Sequence, residues 1–379
     1  MRILFLDQSG KLGGAELCLA DIAQPVRATS LVGVFGAGDF PDYLRQRQIP
    51  VQVLAHQGIQ VRKDSGLRAG LASLNQLVPL IGTVTRLANA YDVIYANTPK
   101  ALVVGAVASQ LSGRPLVYHL HDIISADHFS ATNRHLMVTL ANRAALVIAN
   151  SEASQAALIA AGGRSDTVHR VYNGFCPEGY SVNAETIQRL RQSLGLANQT
   201  VVGHFSRLSP WKGQDVLINA LVHCPESVVA LLVGDALFGE DDYVTHLRRL
   251  VTELNLTARV HFLGFRSDIP DVMQACDLVV HTSTAPEPFG RVIVEAMLSG
   301  KPVIAAAAGG ALELVEHGTT GWLCPPGDPQ QLARLIVETS QSPVVTGQVA
   351  RAAQAYAQSQ FSLEATNGQI MALLQAVCR

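Results

Sequence analysis

Two glutamates, Glu287 and Glu295, bracket a Pro-Phe-Gly sequence at positions 288–290, with seven residues between them. Carboxylates accept hydrogen bonds from hydroxyl groups and repel phosphate, so this pair suits the hydroxyls of a sugar. Gly290 lies between them and leaves room for a phosphate to approach the backbone. The stretch therefore predicts a site for a sugar beside a phosphate. An ordinary amphipathic helix with glutamates at this spacing is the alternative that the pair alone leaves open.

The sequence around this stretch predicts the elements that position it. Residues 277–281 form a short apolar run typical of a strand. Pro286 and Pro288 exclude a regular element directly after it. Residues 291–298 are good helix formers that end before Gly300. In such a strand–loop–helix unit the loop meets the helix amino end, where free N–H groups and the helix dipole favour an anion.

A second loop carries two cations between a strand and a helix. A strand is predicted from Thr200, and Arg207 and Lys212 follow it before a helix that begins near Asp215. Two fixed cations can bind a diphosphate and stabilise the charge that grows on it when a sugar leaves. Two solvated surface cations are the alternative.

The first half of the chain also places polar residues after buried strands. Gly13 and Gly14 follow the strand at 2–7, where a glycine loop directs backbone N–H groups towards a phosphate or sugar. His121 ends a later strand, at the edge where α/β proteins bind their ligands. His119 lies two residues earlier on the same strand face, so a shared or structural role for either histidine stays open.

Together these segments resemble the retaining glycosyltransferases of glycosyltransferase family 4, which have the GT-B fold. The resemblance covers nearly the whole chain. It rests on the Glu-x7-Glu motif from Glu287 to Glu295, on Arg-Leu-x3-Lys-Gly at 207–213, on Gly-Gly-Ala-Glu at 13–16 and on His-Asp at 121–122. Two positions depart from the family pattern, because Ser206 and Ala236 stand where glycine is usual.

The resemblance implies an α/β protein with two Rossmann-like, doubly wound domains that face an interdomain cleft. An acceptor-binding domain is expected at 1–175 and a domain that binds the nucleotide sugar at 198–355, with a linker between them. The terminal segment 356–379 is expected to form a helix that packs back on the first domain.

Site residues follow from the same resemblance. The residues expected to act in catalysis are Arg207, Lys212, His121 and Glu287. The residues expected to bind the donor are Gly13, Gly14, Gly234, Phe265, Arg266, Phe289, Gly290, Arg291, Val292, Ile293 and Glu295. No metal and no cofactor beyond the nucleotide-sugar co-substrate is expected, because Arg207, Lys212 and the helix end at Gly290 can neutralise the leaving diphosphate.

The implied reaction moves a hexose of the glucose, mannose or galactose type from a UDP- or GDP-linked donor to an acceptor hydroxyl, with retention. The acceptor is a small molecule or a lipid-linked compound. A sugar phosphorylase, a sugar-nucleotide epimerase of similar fold and a non-catalytic sugar-nucleotide-binding subunit are the alternatives.

Composition sets limits on the remaining function classes. The 379 residues are 48% hydrophobic and 15% charged, which predicts two sizeable cores and little disorder. A net charge of -2 gives no support for a nucleic-acid partner. Six dispersed cysteines and no visible targeting signal predict a cytoplasmic protein. The basic stretch from Arg62 to Arg86 predicts either peripheral contact of the first domain with the inner membrane face or an ordinary surface helix.

Overall fold

The computed structural model describes residues 1–55, 67–196, 198–236 and 239–378. The chain divides into two compact units. One comprises Met1–Gly174 together with Leu363–Arg379, and the other comprises Phe175–Ser362. Each unit is built around one parallel sheet.

The sheet of the first unit has the strand order β3-β2-β1-β4-β5-β6-β7, and all of its neighbouring strands are parallel. Its strands are β1 (Ile3–Asp7), β2 (Ser30–Val34), β3 (Val51–Val53), β4 (Val93–Ala96), β5 (Leu116–Leu120), β6 (Leu146–Ala149) and β7 (Val168–Arg170).

The sheet of the second unit has the order β10-β9-β8-β11-β12-β13 and is also parallel. Its strands are β8 (Thr200–Phe205), β9 (Val228–Val233), β10 (Val260–Gly264), β11 (Leu278–His281), β12 (Val303–Ala306) and β13 (Trp322–Cys324).

Helices connect the strands throughout both units. They are α1 (Gly14–Ala23), α2 (Asp39–Gln46), α3 (Leu67–Ala88), α4 (Pro99–Ser112), α5 (Ala131–Ala141), α6 (Glu152–Ala160), α7 (Ala184–Ser193), α8 (Gln214–Leu221), α9 (Asp241–Glu253), α10 (Ile269–Ala275), α11 (Arg291–Leu298), α12 (Ala311–Leu314), α13 (Pro329–Gln341), α14 (Pro343–Gln360) and α15 (Leu363–Val377). Short 3-10 helices lie at Gln24–Thr29, Pro177–Tyr180 and Pro210–Lys212.

Alternate residues of β1 enter two separate cores. Ile3 and Phe5 pack with residues of α1, α2 and α15, whereas Leu4 and Leu6 pack with residues of α3 to α6. Successive side chains of a strand point to opposite faces, so helices cover both faces of this sheet. This coverage explains why the strands read as continuous apolar runs, and the second unit shows the same pattern in β9, where all six residues are buried.

The strand order reverses at one point in each sheet. In the first sheet the reversal falls between β1 and β4, and in the second it falls between β8 and β11. Open α/β sheets bind their ligands outside the carboxyl ends of the strands at such a switch point. The predicted fold class, two Rossmann-like doubly wound domains, is confirmed, and the switch points direct attention to the loops after these four strands.

Two predicted segments need a closer description. The stretch expected as a linker contains the 3-10 helix Pro177–Tyr180 and α7, and both belong to the second unit. Within the basic stretch, Arg62 and Lys63 lie outside the described residues, while Arg86 is exposed near the end of α3. Among the helices of the described ranges, none combines the length and the apolar character needed to cross a bilayer.

Candidate functional site

The carboxylate of Glu287 lies at the centre of a dense polar cluster in the second unit. Lys212 Nζ donates to both of its oxygens, at 3.0 Å to Oε1 and 2.8 Å to Oε2. His281 Nε2, at the end of β11, lies 3.0 Å from Oε2, and the Ser283 hydroxyl donates to the same oxygen at 2.9 Å. Strands β8 and β11 therefore bring Lys212 and Glu287 together at the switch point of the sheet.

Charge pairing decides the ionisation of Glu287. The side chain is buried, which by itself raises the pKa of a carboxyl, but the ammonium of Lys212 and the hydrogen bond from His281 outweigh burial and lower the pKa of Glu287 far below its usual value. The ammonium of Lys212 also lies 3.9 Å from the ring centroid of Trp211, in cation–π contact. Glu287 is therefore held as an anion that can only accept hydrogen bonds.

The backbone of Glu287 is clamped by two glycines after β12. Gly310 N donates to Glu287 O at 2.7 Å, and Gly309 pairs with Glu287 as an isolated parallel bridge. Gly309 has φ +61°, and a Cβ there would lie 2.3 Å from Glu287 O. A Cβ at Gly310 would lie 2.6 Å from Pro288 O. Only a residue without a side chain lets this loop approach the donor motif so closely.

The residues between the two glutamates of the motif form the amino end of α11. Gly290 is the N-cap, and the helix begins at Arg291, as the sequence predicts. Phe289 is buried and stacks on Phe175, with ring centroids 6.3 Å apart. Arg291 Nε lies 3.4 Å from Glu295 Oε1, so the second glutamate pairs with the first residue of its own helix.

The two remaining motif positions face different surroundings. Val292 is half-buried, whereas Ile293 is fully buried and its N–H donates to Gly290 O at 2.9 Å. These first residues of α11 present backbone N–H groups that cannot all bond within the helix. The arrangement suits an anion at this end of α11.

The loop that carries Arg207 is fixed by the helix that follows it. Gln214 Nε2 donates to Ser206 Oγ at 2.8 Å and to Arg207 O at 2.9 Å. Ser206, which stands where the family has glycine, thus supplies a hydroxyl to this anchor. The side chain of Arg207 is about one-third exposed, and its Nε lies 3.7 Å from Glu240 Oε2.

The carbonyl of Lys212 is held by His204 of β8 and by Thr282, the residue that follows β11. Thr282 Oγ1 donates to Lys212 O at 3.0 Å, and His204 Nε2 lies 3.2 Å from the same oxygen. Burial lowers the pKa of His204 to about 3, so its ring is neutral. These contacts fix the backbone from which Lys212 reaches Glu287.

Phe265 and Arg266, two of the residues expected to bind the donor, lie on the loop after β10. Gly234 N donates to Gly264 O at 2.9 Å, which joins the ends of β9 and β10. Phe265 is 62% exposed, and Arg266 Nε lies 2.7 Å from Asp268 Oδ1. The ion pair with Asp268 holds the Arg266 guanidinium along its own loop, while the exposed Phe265 ring offers a flat apolar surface.

In the first unit, Asn97 connects the ends of three elements. Its Nδ2 donates to Asp7 Oδ2 at 2.7 Å and to Ala15 O at 3.1 Å, and its Oδ1 lies 2.9 Å from His121 Nε2. Asp7 is fully buried, and burial raises its pKa to about 6 although the bonds from Asn97 and the Ser9 N–H oppose this rise. The switch point of this sheet thus holds a hydrogen-bonded network that joins the carboxyl of Asp7, through Asn97, to the predicted site residue His121.

The glycine loop and the second histidine complete this region. Gly13 is the N-cap of α1, and Gly14 is exposed at its first turn. His119 is buried, its Nδ1 lies 2.7 Å from the Tyr95 hydroxyl, and burial lowers its pKa well below the usual value. Of the two histidines, the half-buried His121 is therefore the more exposed side chain.

Sequence reasoning missed several residues that hold the site. His281 and Ser283 surround Glu287, Gly309 clamps its backbone, and Asn97 and Asp7 hold His121. The available signal was their position at the carboxyl ends of buried strands or within three residues after them. Their partners lie far away in the sequence, so spacing alone could not reveal them.

Comparison with known proteins shows the family of the chain. A family model described as glycosyl transferases group 1 matches residues 186–359, and one described as a glycosyl transferase 4-like domain matches residues 13–174. The crystal structure of HepE from Anabaena in complex with UDP and glucose is 57% identical, covers 99% of each chain and gives a TM-score of 0.93. This chain belongs to the group 1 glycosyltransferases.

Other group 1 relatives are more distant. D-inositol 3-phosphate glycosyltransferase from Salinispora tropica is 29% identical over 94% of this chain and 80% of its own length. Mannosylfructose-phosphate synthase from Agrobacterium fabrum is 29% identical over 52% of this chain. The chain spans 46% to 64% of the length of the first curated relatives that it matches.

Proposed function

We propose that the protein is a retaining glucosyltransferase that transfers glucose from UDP-glucose to an acceptor hydroxyl without a metal ion. The Lys212–Glu287 pair at the switch point of the second sheet carries this proposal. It places a cation beside a carboxylate that can accept hydrogen bonds from the hydroxyl groups of a sugar. The choice of donor is supported by the 57% identity to HepE, which has been crystallised with UDP-glucose.

The donor requires both partners of this pair. A diphosphate brings negative charge that attracts Lys212, and a sugar brings hydroxyl groups that can donate to Glu287. On donor binding, the Lys212 ammonium exchanges one of its hydrogen bonds to Glu287 for a hydrogen bond to the diphosphate. Glu287 in turn accepts a hydrogen bond from a sugar hydroxyl. His281 and Ser283 still donate to Glu287 Oε2, which keeps the carboxylate in place during this exchange.

Cations beside the diphosphate assist the departure of the leaving group. The bond between the anomeric carbon and the diphosphate oxygen breaks with its electron pair on the oxygen. Lys212, Arg207 and the amino end of α11 then stabilise the growing negative charge. We assign no metal to this step, because these groups supply the positive charge.

The acceptor oxygen forms the new bond on the face from which the diphosphate leaves, and its proton passes to a phosphate oxygen. Retention at the anomeric carbon follows from attack on the same face. His121 is assigned a hydrogen bond to the donor sugar, held in place by Asn97. Phe265 and the backbone beside it are assigned to the uracil ring, and Glu295 to the ribose.

The test measures UDP release by the full chain with UDP-glucose, a chelator and a panel of acceptors that contains sugars, inositols and lipid-linked sugars. We expect release that depends on an acceptor and persists in the chelator, with an α-linked product by proton NMR. GDP-mannose and ADP-glucose serve as competing donors. A β-linked product would refute retention, and a requirement for Mg²⁺ would refute the metal-free step.

Two variants make the test specific to the site. Glu287→Gln removes the charge of the proposed sugar contact, and Glu253→Gln makes the same change on the exposed face of α9. We expect the first to lose preference among donor sugars and the second to behave as the unaltered protein. Glycoside cleavage that depends on inorganic phosphate and not on a nucleotide would replace the proposal with a phosphorylase.

A further inference from the structure

Three side chains with metal-binding atoms meet in the first unit. Cys18 lies on α1, His119 on β5, and His121 directly after β5. One ligand atom from each lies within 4.8 Å of the others, and the two imidazole rings are 4.0 Å apart between centroids. Cys18 and His119 are only 3% and 1% exposed, whereas His121 is half-buried.

Each of these side chains is oriented by a further polar contact. His119 Nδ1 lies 2.7 Å from the Tyr95 hydroxyl, and His121 Nε2 lies 2.9 Å from Asn97 Oδ1. The Cys18 thiol donates to Asn173 Oδ1 at 3.3 Å. Histidines that bind metals are typically fixed in this way through their other ring nitrogen.

The proposed reaction gives no role to the second ring nitrogen of His119, Nε2. His119 Nε2 is buried and has no hydrogen-bond partner among the residues that the structure describes. An unsatisfied buried polar atom costs about 1–3 kcal/mol, so a polar ligand at this point would be favoured. The cysteine and the second histidine beside it define what kind of ligand fits.

We propose that Cys18, His119 and His121 bind a borderline-soft divalent cation of the Zn²⁺ class. A thiolate and two imidazoles are ligands that zinc prefers, and three protein ligands leave a fourth position open. Mg²⁺ is disfavoured, because it prefers oxygen ligands. Zinc bonds of about 2.0–2.3 Å place tetrahedral ligand atoms roughly 3.3–3.8 Å apart. Because the present separations are at most 4.8 Å, none needs to shorten by more than about 1–1.5 Å.

An ion at this site would act as an inhibitor. It would occupy His121, to which we assign the donor sugar, and the Cys18 proton would pass to solvent as the thiolate binds. This consequence rests on the proposed function, whereas binding of the ion does not. The ligand set includes neither Lys212 nor Arg207, to which we assign the positive charge at the diphosphate.

Direct binding tests the site without any activity assay. Chelator-treated full-length protein is titrated with Zn²⁺ by calorimetry and with Co²⁺ by absorption spectroscopy. We expect one equivalent of each ion and a thiolate-to-cobalt charge-transfer band. Cys18→Ser keeps a hydroxyl donor for Asn173 and should abolish that band and weaken Zn²⁺ binding at least tenfold, as expected when a thiolate ligand is lost.

Two further variants act as controls. Cys176→Ser alters an exposed cysteine elsewhere and should leave Zn²⁺ binding unchanged. Tyr95→Phe keeps all three ligands but removes the contact that orients His119, and it should weaken binding about tenfold. No binding by the unaltered protein, or equal binding by Cys18→Ser, would overturn the proposal.

Inhibition is measured separately, as UDP release at increasing Zn²⁺. We expect inhibition that a chelator reverses and that Cys18→Ser escapes while its activity without zinc is unchanged. Zinc binding without inhibition would keep the site and refute its competition with the donor. If no donor is turned over at all, calorimetry still decides the metal site, so failure of the proposed function is seen separately.

Discussion

Two buried carboxylates, one in each unit, lie close to a switch point, and their pKa values are shifted in opposite directions. Glu287 receives an ammonium, an imidazole and a hydroxyl, and its pKa is lowered although burial raises it. Among the residues that the structure describes, Asp7 accepts hydrogen bonds from the amide of Asn97 and from backbone N–H groups, and burial raises its pKa to about 6. A full opposite charge overcomes desolvation, whereas neutral dipoles do not.

The contrast separates two kinds of site. Around Glu287 the charges are already paired, so a donor that carries both phosphate and hydroxyl groups can exchange partners with Lys212 and Glu287. Around Asp7, no cation is among the hydrogen-bond partners that the described residues supply, and Asn97 connects Asp7 to His121. Substitutions at Lys212, Gly309, Ser283 and Asp7 test this distinction.

Removing the ammonium of Lys212 should have the largest effect. Lys212→Met keeps the aliphatic stem beside Trp211 but removes the charge that we assign to the leaving diphosphate. Loss of one such stabilising group costs about 10²–10³-fold in turnover, which is our expectation for kcat of UDP release. Arg249→Ala on α9 removes an exposed cation and should change kcat little. Turnover of the Lys212 variant within threefold of normal would remove this residue from the mechanism.

The clamp on Glu287 is tested by two glycines with similar backbone angles. Gly309 (φ +61°) would place a Cβ 2.3 Å from Glu287 O, whereas Gly318 (φ +78°) has open space around its Cβ position. Gly318→Ala should cost about 1–2 kcal/mol, from the left-handed backbone alone. Gly309→Ala should cost at least about 3 kcal/mol in urea unfolding, because the loop must also move. Equal losses would show that the close approach carries no energy.

Two buried serines allow a hydrogen bond to a charged acceptor to be compared with one to a neutral acceptor. Ser283 donates to the carboxylate of Glu287, and Ser299 donates to the carbonyl of Glu295 at 2.8 Å. Hydrogen bonds to charged groups contribute about 1.5–3 kcal/mol and neutral ones about 1 kcal/mol. In thermal and urea unfolding, Ser283→Ala should therefore lose more stability than Ser299→Ala. The reverse order would mean that Lys212 and His281 alone satisfy Glu287.

The sequence predicted those parts of the molecule that depend on neighbouring residues. Helix α11 begins at Arg291 and ends at Leu298 as expected, because Gly290 and Gly300 flank a run of helix formers. The buried strands were also recognisable, since parallel strands covered on both faces are continuously apolar. The resemblance to the family named Lys212 and Glu287 as expected site residues, although no local pattern indicates their contact across 75 positions.

The rest depended on contacts between distant segments. Nothing near Gly309 in the sequence indicates that it lies against Glu287, and Asn97 meets Asp7 across 90 positions. The resemblance named His121 but left His119 open, and only burial and the Tyr95 contact distinguish the two. Such pairs arise from strand order in the sheet, which local patterns do not encode.

The pH dependence of stability offers the finest test of the comparison. A folded pKa of about 6 against 3.8 in the unfolded chain means that Asp7 stabilises the fold fully below pH 3.8 and loses this contribution as pH rises through 6. Between pH 5 and 7.5 the unaltered protein should therefore lose about 1 kcal/mol relative to Asp7→Asn. Urea unfolding at each pH measures the difference.

Glu287 provides the control for that measurement. Because its folded pKa lies below the unfolded value of 4.5, its contribution is present above 4.5 and is lost only as pH falls through the lower folded pKa. Glu287→Gln should thus shift stability by the same amount at pH 5 and 7.5, and its curve should run parallel to that of the unaltered protein. A parallel curve for Asp7→Asn as well would mean that Asp7 is ionised throughout this range, and that the amide of Asn97 and the backbone N–H groups suffice to hold a buried charge.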